Sequence, residues 1–170
     1  MSSAIRSIIT VLVILLTANS FSQNKVLSVK DIDDMKFMHE EEKLARDVYE
    51  FLGEKWNLRI FNNIKQSEQR HLDKMKNLLE TNSVTYLIND ERGFFYNNDL
   101  QKMYDELVEK GSKSKYDALE VGRMIEETDI ADLEKAFKNT DNTYIKQVYS
   151  NLLRASQKHL QAFNRQLLKI

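Results

Sequence analysis

Ile64-Lys65-Gln66-Ser67-Glu68-Gln69-Arg70-His71 is the stretch on which the fold turns. It contains neither Gly nor Pro, and it sits inside a longer helical pattern. Ile60 or Phe61, Ile64, Glu68, His71, Met75 and Leu78 recur at the spacing of one helix face. Glu68 and His71 therefore fall on the apolar seam. A carboxylate and an imidazole in a seam need a partner or a metal, because burying them bare is costly. Glu-x-x-His projecting into a helical bundle is the way di-iron and di-manganese carboxylate sites are built. The plainer alternative is a surface pair, with Arg70 and Lys74 bridging to Glu68.

The rest of the chain supports long helices. Pro is absent, Gly occurs 4 times in 170 residues, and 30% of residues are charged with the signs mixed. The net charge of -1 and the lack of a basic stripe argue against nucleic acid as a partner. Cys is absent, which excludes disulfides, thiolate metal sites and thiol chemistry. A metal site here must use carboxylates and imidazoles, a donor set that suits iron, manganese or zinc.

Residues 1–22 read as a secretory signal peptide. Arg6 supplies the positive end, 8–16 is apolar but for Thr10, and Ala18-Asn19-Ser20-Phe21-Ser22 offers small residues for cleavage. Cleavage is placed after Ser22, with Ser20 as the alternative site. A retained membrane anchor is the other reading, but the apolar run falls short of the roughly 20 residues of a span. Residues 23–170 then form one exported domain, periplasmic or secreted, with no stable membrane anchor after cleavage.

Four long helices are expected, at about 31–54, 60–80, 114–138 and from Asp141 or Asn142 almost to the C-terminus. Asp31 is expected to cap the first, and the third is expected to kink or break near Thr128-Asp129. The short link between the first two makes them antiparallel neighbours. The long link between the second and third carries a short extra helix at about 99–111, and its Gly93-Phe94-Phe95-Tyr96 run is expected to pack over a bundle edge. The fold class is all-α: an antiparallel four-helix bundle with one long crossover.

Further polar residues join the inward stripes. Glu42 lies on the stripe of Met38, Ala45 and Tyr49, whereas Glu40 and Glu41 are read as able to face water. His39 is read as a polar residue near a helix end. Glu126 and Asp129 share a stripe with Leu119, Gly122 and Leu133. His159 lies mid-helix on the stripe of Ile145, Val148, Leu152 and Phe163. A lone His there is usually a satisfied core residue; two at similar depth, each facing carboxylates, point to a shared metal.

Glu42-x-x-Ala45-x-x-x-Tyr49 and Glu68-x-x-His71 resemble the ferritin-like superfamily, with rubrerythrin its best-known member. The region 38–163 as a whole is similar to an uncharacterised ferritin-like family of bacterial and archaeal proteins. Glu40-Glu41-Glu42-Lys43-Leu44-Ala45-Arg46-Asp47-Val48-Tyr49, Ser67-Glu68-Gln69-Arg70-His71, Ile125-Glu126-Glu127-Thr128-Asp129-Ile130-Ala131-Asp132-Leu133 and Asn151-Leu152-Leu153-Arg154 carry that similarity. The resemblance implies Glu42, Glu68, His71, Glu126 and His159 as ligands of two irons, with Glu68 and Glu126 bridging. It implies oxidase- or peroxidase-like activity toward dioxygen or peroxide. The chain departs from the pattern in having Ser156-x-x-His159 where a Glu-x-x-His is expected, and Asp129 is the candidate replacement. It also lacks the Cys of a rubredoxin-type electron carrier. Metal sequestration without turnover, with one ion in place of two, and a purely structural or partner-binding bundle are the competing functions; a homodimer is compatible with all of them.

Overall fold

The computed structural model describes residues 26–87 and 89–170, so the expected signal peptide lies outside the described residues. These residues form five helices and no strand: α1 (Val29–Trp56), α2 (Arg59–Thr81), α3 (Asn98–Gly111), α4 (Lys115–Asn139) and α5 (Thr143–Leu167). None of the helices is long and apolar enough to cross a membrane.

Four of the five helices, all but α2, begin on a side chain that satisfies orphan N–H groups. Ser28, not Asp31, caps α1: its hydroxyl accepts from Asp31 N at 3.0 Å, and Asp31 accepts in return from Ser28 N at 2.9 Å. This is a reciprocal capping box, with Asp31 as its third helical residue. The side chains of Asn97, Ser114 and Asn142 cap α3, α4 and α5 by accepting from first-turn N–H groups, without the reciprocal bond. α1 ends on Asn57, held in the left-handed region at φ 50° with its N–H on the Gly53 carbonyl. Only Asn57 and Leu58 separate α1 from α2, so the chain must reverse at once.

The side-chain pairs across helices show how they run. Glu50 meets Lys65, Arg46 meets Gln69, and Glu42 meets His71. Numbers fall on α1 as they rise on α2, so the two are antiparallel. α1 runs antiparallel to α4 by the same test, with Tyr49 on Glu126 and Asp34 on Asn139. His159 of α5 reaches Glu68 of α2 and Glu126 of α4. The helix α3 lies against both α1 and α4.

α4 is continuous through Thr128-Asp129, contrary to the expected break. Asp129 is buried within the helix rather than capping a new one. Its neighbour across the interface is Ser156.

The apolar core comes in two parts. One contains Leu44, Val48, Tyr49, Leu52, Phe61, Leu119, Ile125 and Phe163. The other contains Met35, Met38, Met75, Leu78, Leu133, Ile145 and Leu152. Between them, at mid-helix, lies a buried polar layer: Glu41, Glu42, Glu68, His71, Glu126, Asp129 and Ser156. Gly122 permits the close approach of α4 to α5. A Cβ there would overlap Phe163, lying 2.6 Å from Cδ1 and nearer still to Cε1 and Cζ.

The crossover is tied to α1 by a buried ion pair. Lys43 Nζ lies 2.6 Å from Asp47 Oδ2, and both side chains are nearly inaccessible. Lys43 also donates to the carbonyls of Glu91 at 2.8 Å and Phe94 at 3.1 Å. Gly93 N donates to Asp47 Oδ2 at 3.0 Å, and Gly93 itself adopts φ 79°. Phe95 is buried here, under Lys43 at 4.4 Å from the ring centre, while Phe94 and Tyr96 stay exposed.

Candidate metal centre

α2 presents Glu68 and His71 inward from one helical turn, and their side chains meet at 2.7 Å between Glu68 Oε2 and His71 Nδ1. α1 adds Glu42, whose Oε2 is 3.2 Å from the same nitrogen. On the other side of Glu68, Oε1 lies 2.8 Å from His159 Nδ1 of α5. Glu126 Oε2 of α4 is 3.6 Å from that nitrogen. Two donor groups result, Glu42/Glu68/His71 and Glu68/Glu126/His159, and in each the donor atoms lie within 4.8 Å of one another. Each group could hold a metal ion. The two imidazoles are stacked with ring centres 5.7 Å apart.

The spacing suits a shared cation, alongside one hydrogen-bonded pair, His71 Nδ1 and Glu42 Oε2 at 3.2 Å. Oxygen and nitrogen donors about 2.1 Å from one ion stand roughly 3 Å apart from each other. The measured donor pairs run from 2.7 to 3.6 Å. Glu68 Oε1 and His159 Nδ1 are near enough to bond, yet both lack an aligned hydrogen-bond partner, as does Glu42 Oε1. Short contacts without hydrogen-bond alignment are what donors aimed at a common point produce.

Electrostatics agree with the geometry. Burial, reinforced by the charge of Asp129, pushes the Glu42 carboxyl well above the carboxylate range. Burial and the Glu68 charge raise Glu126 to about 7, and burial with the Glu126 charge raises Asp129 to about 7. Burial would raise Glu68 too, but the His159 and His71 imidazoles beside it hold it at about 2. Burial alone would lower His159; the Glu126 and Glu68 carboxylates instead raise it to about 9. This layer is crowded with negative charge, and protons or cations must neutralise it.

Glu126 is engaged through both of its oxygens. Its Oε1 accepts from the Tyr49 hydroxyl at 2.7 Å, leaving Oε2 to face His159. Among the described residues Glu68 alone belongs to both groups. Tyr49 is thus a core tyrosine and an orienting donor at once. Asp129 lies outside both groups, although its charge bears on Glu42. Ser156 is buried and donates to Leu152 O at 3.1 Å within its own helix.

Two expectations need correction. His39 is not near a helix end: it is buried in mid-helix, edge-on to Tyr86, and burial lowers its pKa to about 4. Glu41 does not face water; it is 4% exposed and faces Asp129 and Asp132 of α4. Lys43 and Asp47 also escaped notice in the sequence, their signal being only an i,i+4 pair within a charged run.

The uncharacterized protein domain family DUF2202 matches residues 31–169, which include every residue of the centre. The chain belongs to this family. It is 50% identical over 142 residues to the uncharacterized protein MJ0754 of Methanocaldococcus jannaschii, spanning 83% of this chain and 77% of that protein. The crystal structure of the hypothetical protein MJ0754 from the same archaeon superposes with a TM-score of 0.83 at 49% identity. That match covers 84% of this chain and 82% of the solved one.

Proposed function

We propose that this DUF2202 protein is a ferritin-like four-helix bundle, formed by α1, α2, α4 and α5, that binds two metal ions, preferably iron, in its polar layer. The observation that carries this reading is the pair of buried donor groups sharing Glu68. Glu42 and His71 would hold one ion and His159 and Glu126 the other, with Glu68 a member of both donor groups. Manganese and zinc suit the same donors. Iron bound there would supply one-electron redox chemistry toward an oxidant such as dioxygen or peroxide.

The chain's own residues have defined tasks in this reading. Tyr49 fixes the rotamer of Glu126 through its hydroxyl. The two apolar core segments keep bulk water from the layer, which strengthens every charge interaction inside it. Glu42 and Glu126 release protons as a cation enters, so uptake is proton-coupled. Export of the mature chain from the cytoplasm belongs to the same proposal and rests on the sequence of residues 1–22.

A second reading is sequestration without turnover. Ser156 stands one turn from His159 where a further carboxylate would complete the second position, and it bonds to its own helix instead. That favours an asymmetric pair of sites, one held more weakly. Both readings are tested by loading the purified protein with ferrous iron without oxygen, then counting bound metal per chain before and after air. Two irons and a new near-ultraviolet absorption after air, both lost in His71→Ala and His159→Ala, support the redox site. Bound metal without a spectral change supports sequestration. A chain that binds no metal is a structural bundle.

A further inference from the structure

Beside the centre, α1, α3 and α4 border a half-open cavity of about 340 Å³. Leu44, Met103, Leu107 and Ile125 line it, and its charged residues are Glu41, Glu106 and Lys110. Glu41 Oε2 is buried and has no hydrogen-bond partner. The charged groups that bear most on Glu41 are Asp129, Asp132 and Glu42, all acidic. Asp132 lies one helical turn beyond Asp129 on α4 and is half-buried, in reach of solvent. Deeper in, Asp129 is 6% exposed and its Oδ1 is likewise without a partner. Glu42 Oε1, the free oxygen of the proposed ligand, completes the series. A purely structural layer would pair such carboxylates with Lys or Arg, because unpaired buried charge is strongly destabilising. Yet Glu41, Asp129 and Asp132 do not converge into a donor group like the two described.

We propose that Asp132, Glu41 and Asp129 form a transfer path along which divalent cations pass from the surface beside the α1–α3–α4 cavity to Glu42. The path rests on the metal-centre reading above. Asp132 receives the hydrated ion, Glu41 and Asp129 hold it after part of its water is shed, and Glu42 delivers it to His71 and Glu68. Carboxylates that do not converge on one ion as a set bind it transiently in turn, which is what transfer requires.

A path residue changes rates and spares the equilibrium. The probe is cobalt(II) alone, mixed with metal-free protein and followed by its visible absorption, with final metal content measured separately. Release to excess chelator gives the reverse rate. Glu41→Gln and Asp132→Asn are near-isosteric; Glu109→Gln on the exposed face of α3 is the control. Both path variants should slow uptake and release alike, by about tenfold, the low end of electrostatic focusing, with full final occupancy. Wild-type rates in both variants overturn the path. A lost equivalent of metal in Glu41→Gln also overturns it, by making Glu41 a ligand. Failure of the wild-type protein to bind cobalt, ferrous iron or zinc removes the metal centre and the path together. A slow variant that still fills both positions is the outcome that supports the path and the centre.

Discussion

Replacing Gly122 with Ala tests how tightly α4 is held against α5, and so how Glu126 is held against His159. In an isolated helix the change would stabilise by about 1 kcal/mol, because Ala loses less backbone freedom than Gly. Here the new Cβ would overlap three carbons of the Phe163 ring, the farthest at 2.6 Å. Phe163 is fully buried and packed on Tyr49 and Phe61 with ring centres 5.4 and 5.6 Å away, so it cannot simply swing aside. Overpacking of this kind costs about 1–3 kcal/mol, and a three-atom overlap belongs at the upper end. The net expectation is a loss of about 2 kcal/mol, or roughly 6 °C in Tm for a domain of this size. Urea unfolding of the metal-free protein would read it as a lower midpoint at unchanged slope. Gly122→Ala with Phe163→Leu makes room for the methyl group and should recover most of the loss relative to Phe163→Leu alone. A Gly122→Ala protein more stable than wild type would refute the close packing, and with it the account of how α4 is positioned.

Other expectations follow from the same layer. Asp47→Asn removes the charge facing the buried Lys43 ammonium and should cost roughly 3–5 kcal/mol, with faster protease cleavage in 82–97; Lys43→Met with Asp47→Leu should restore only part of it, because Arg46 and the Gly93 N–H also lose their acceptor. Tyr49→Phe keeps the ring and removes the donor to Glu126, so denaturant unfolding should show a loss of about 1–3 kcal/mol, with weaker metal binding near neutral pH. Metal-free protein should lose stability as pH rises from about 4.5 through 7. The folded pKa values of Glu126 and Asp129 are raised to about 7, so the native state binds more protons than the unfolded chain across that window. His159, raised to about 9, extends the decline above pH 7, and thermal unfolding at a series of pH values reads the whole curve. Metal binding should strengthen over the same range, because Glu42, Glu126 and His159 must give up protons to become ligands.

The inward Glu68, His71 and His159 were legible because α2 and α5 each bury one stripe, so helical spacing identifies the face. The same logic misled for Glu41. α1 is covered by α2, α3 and α4, and a helix enclosed on several sides has no continuous wet face from which to phase the rest. Lys43 and Asp47 were hidden for the same reason: a salt-bridged pair on a helix is normally solvated, and only the return of the crossover buries this one. The break foreseen at Asp129 followed from the local preference of Asp for turns, which burial in the layer beside Ser156 overrides. The Tyr49–Glu126 bond spans 77 residues and has no local signature at all.

The way the crossover is fastened bears on how this scaffold can change. Lys43 and Asp47 grip it through the carbonyls of Glu91 and Phe94 and the N–H of Gly93. Those are main-chain atoms, which every residue type but Pro supplies in full. Apart from Gly93, whose φ of 79° suits glycine, the side chains at this hold are free of that duty. Leu87, Asn89, Asp90, Phe94 and Tyr96 line a second cavity of about 240 Å³ with His39 and Glu40. Their identities can therefore drift, reshaping the wall of that cavity, while the loop keeps its course and the polar layer behind α1 is undisturbed.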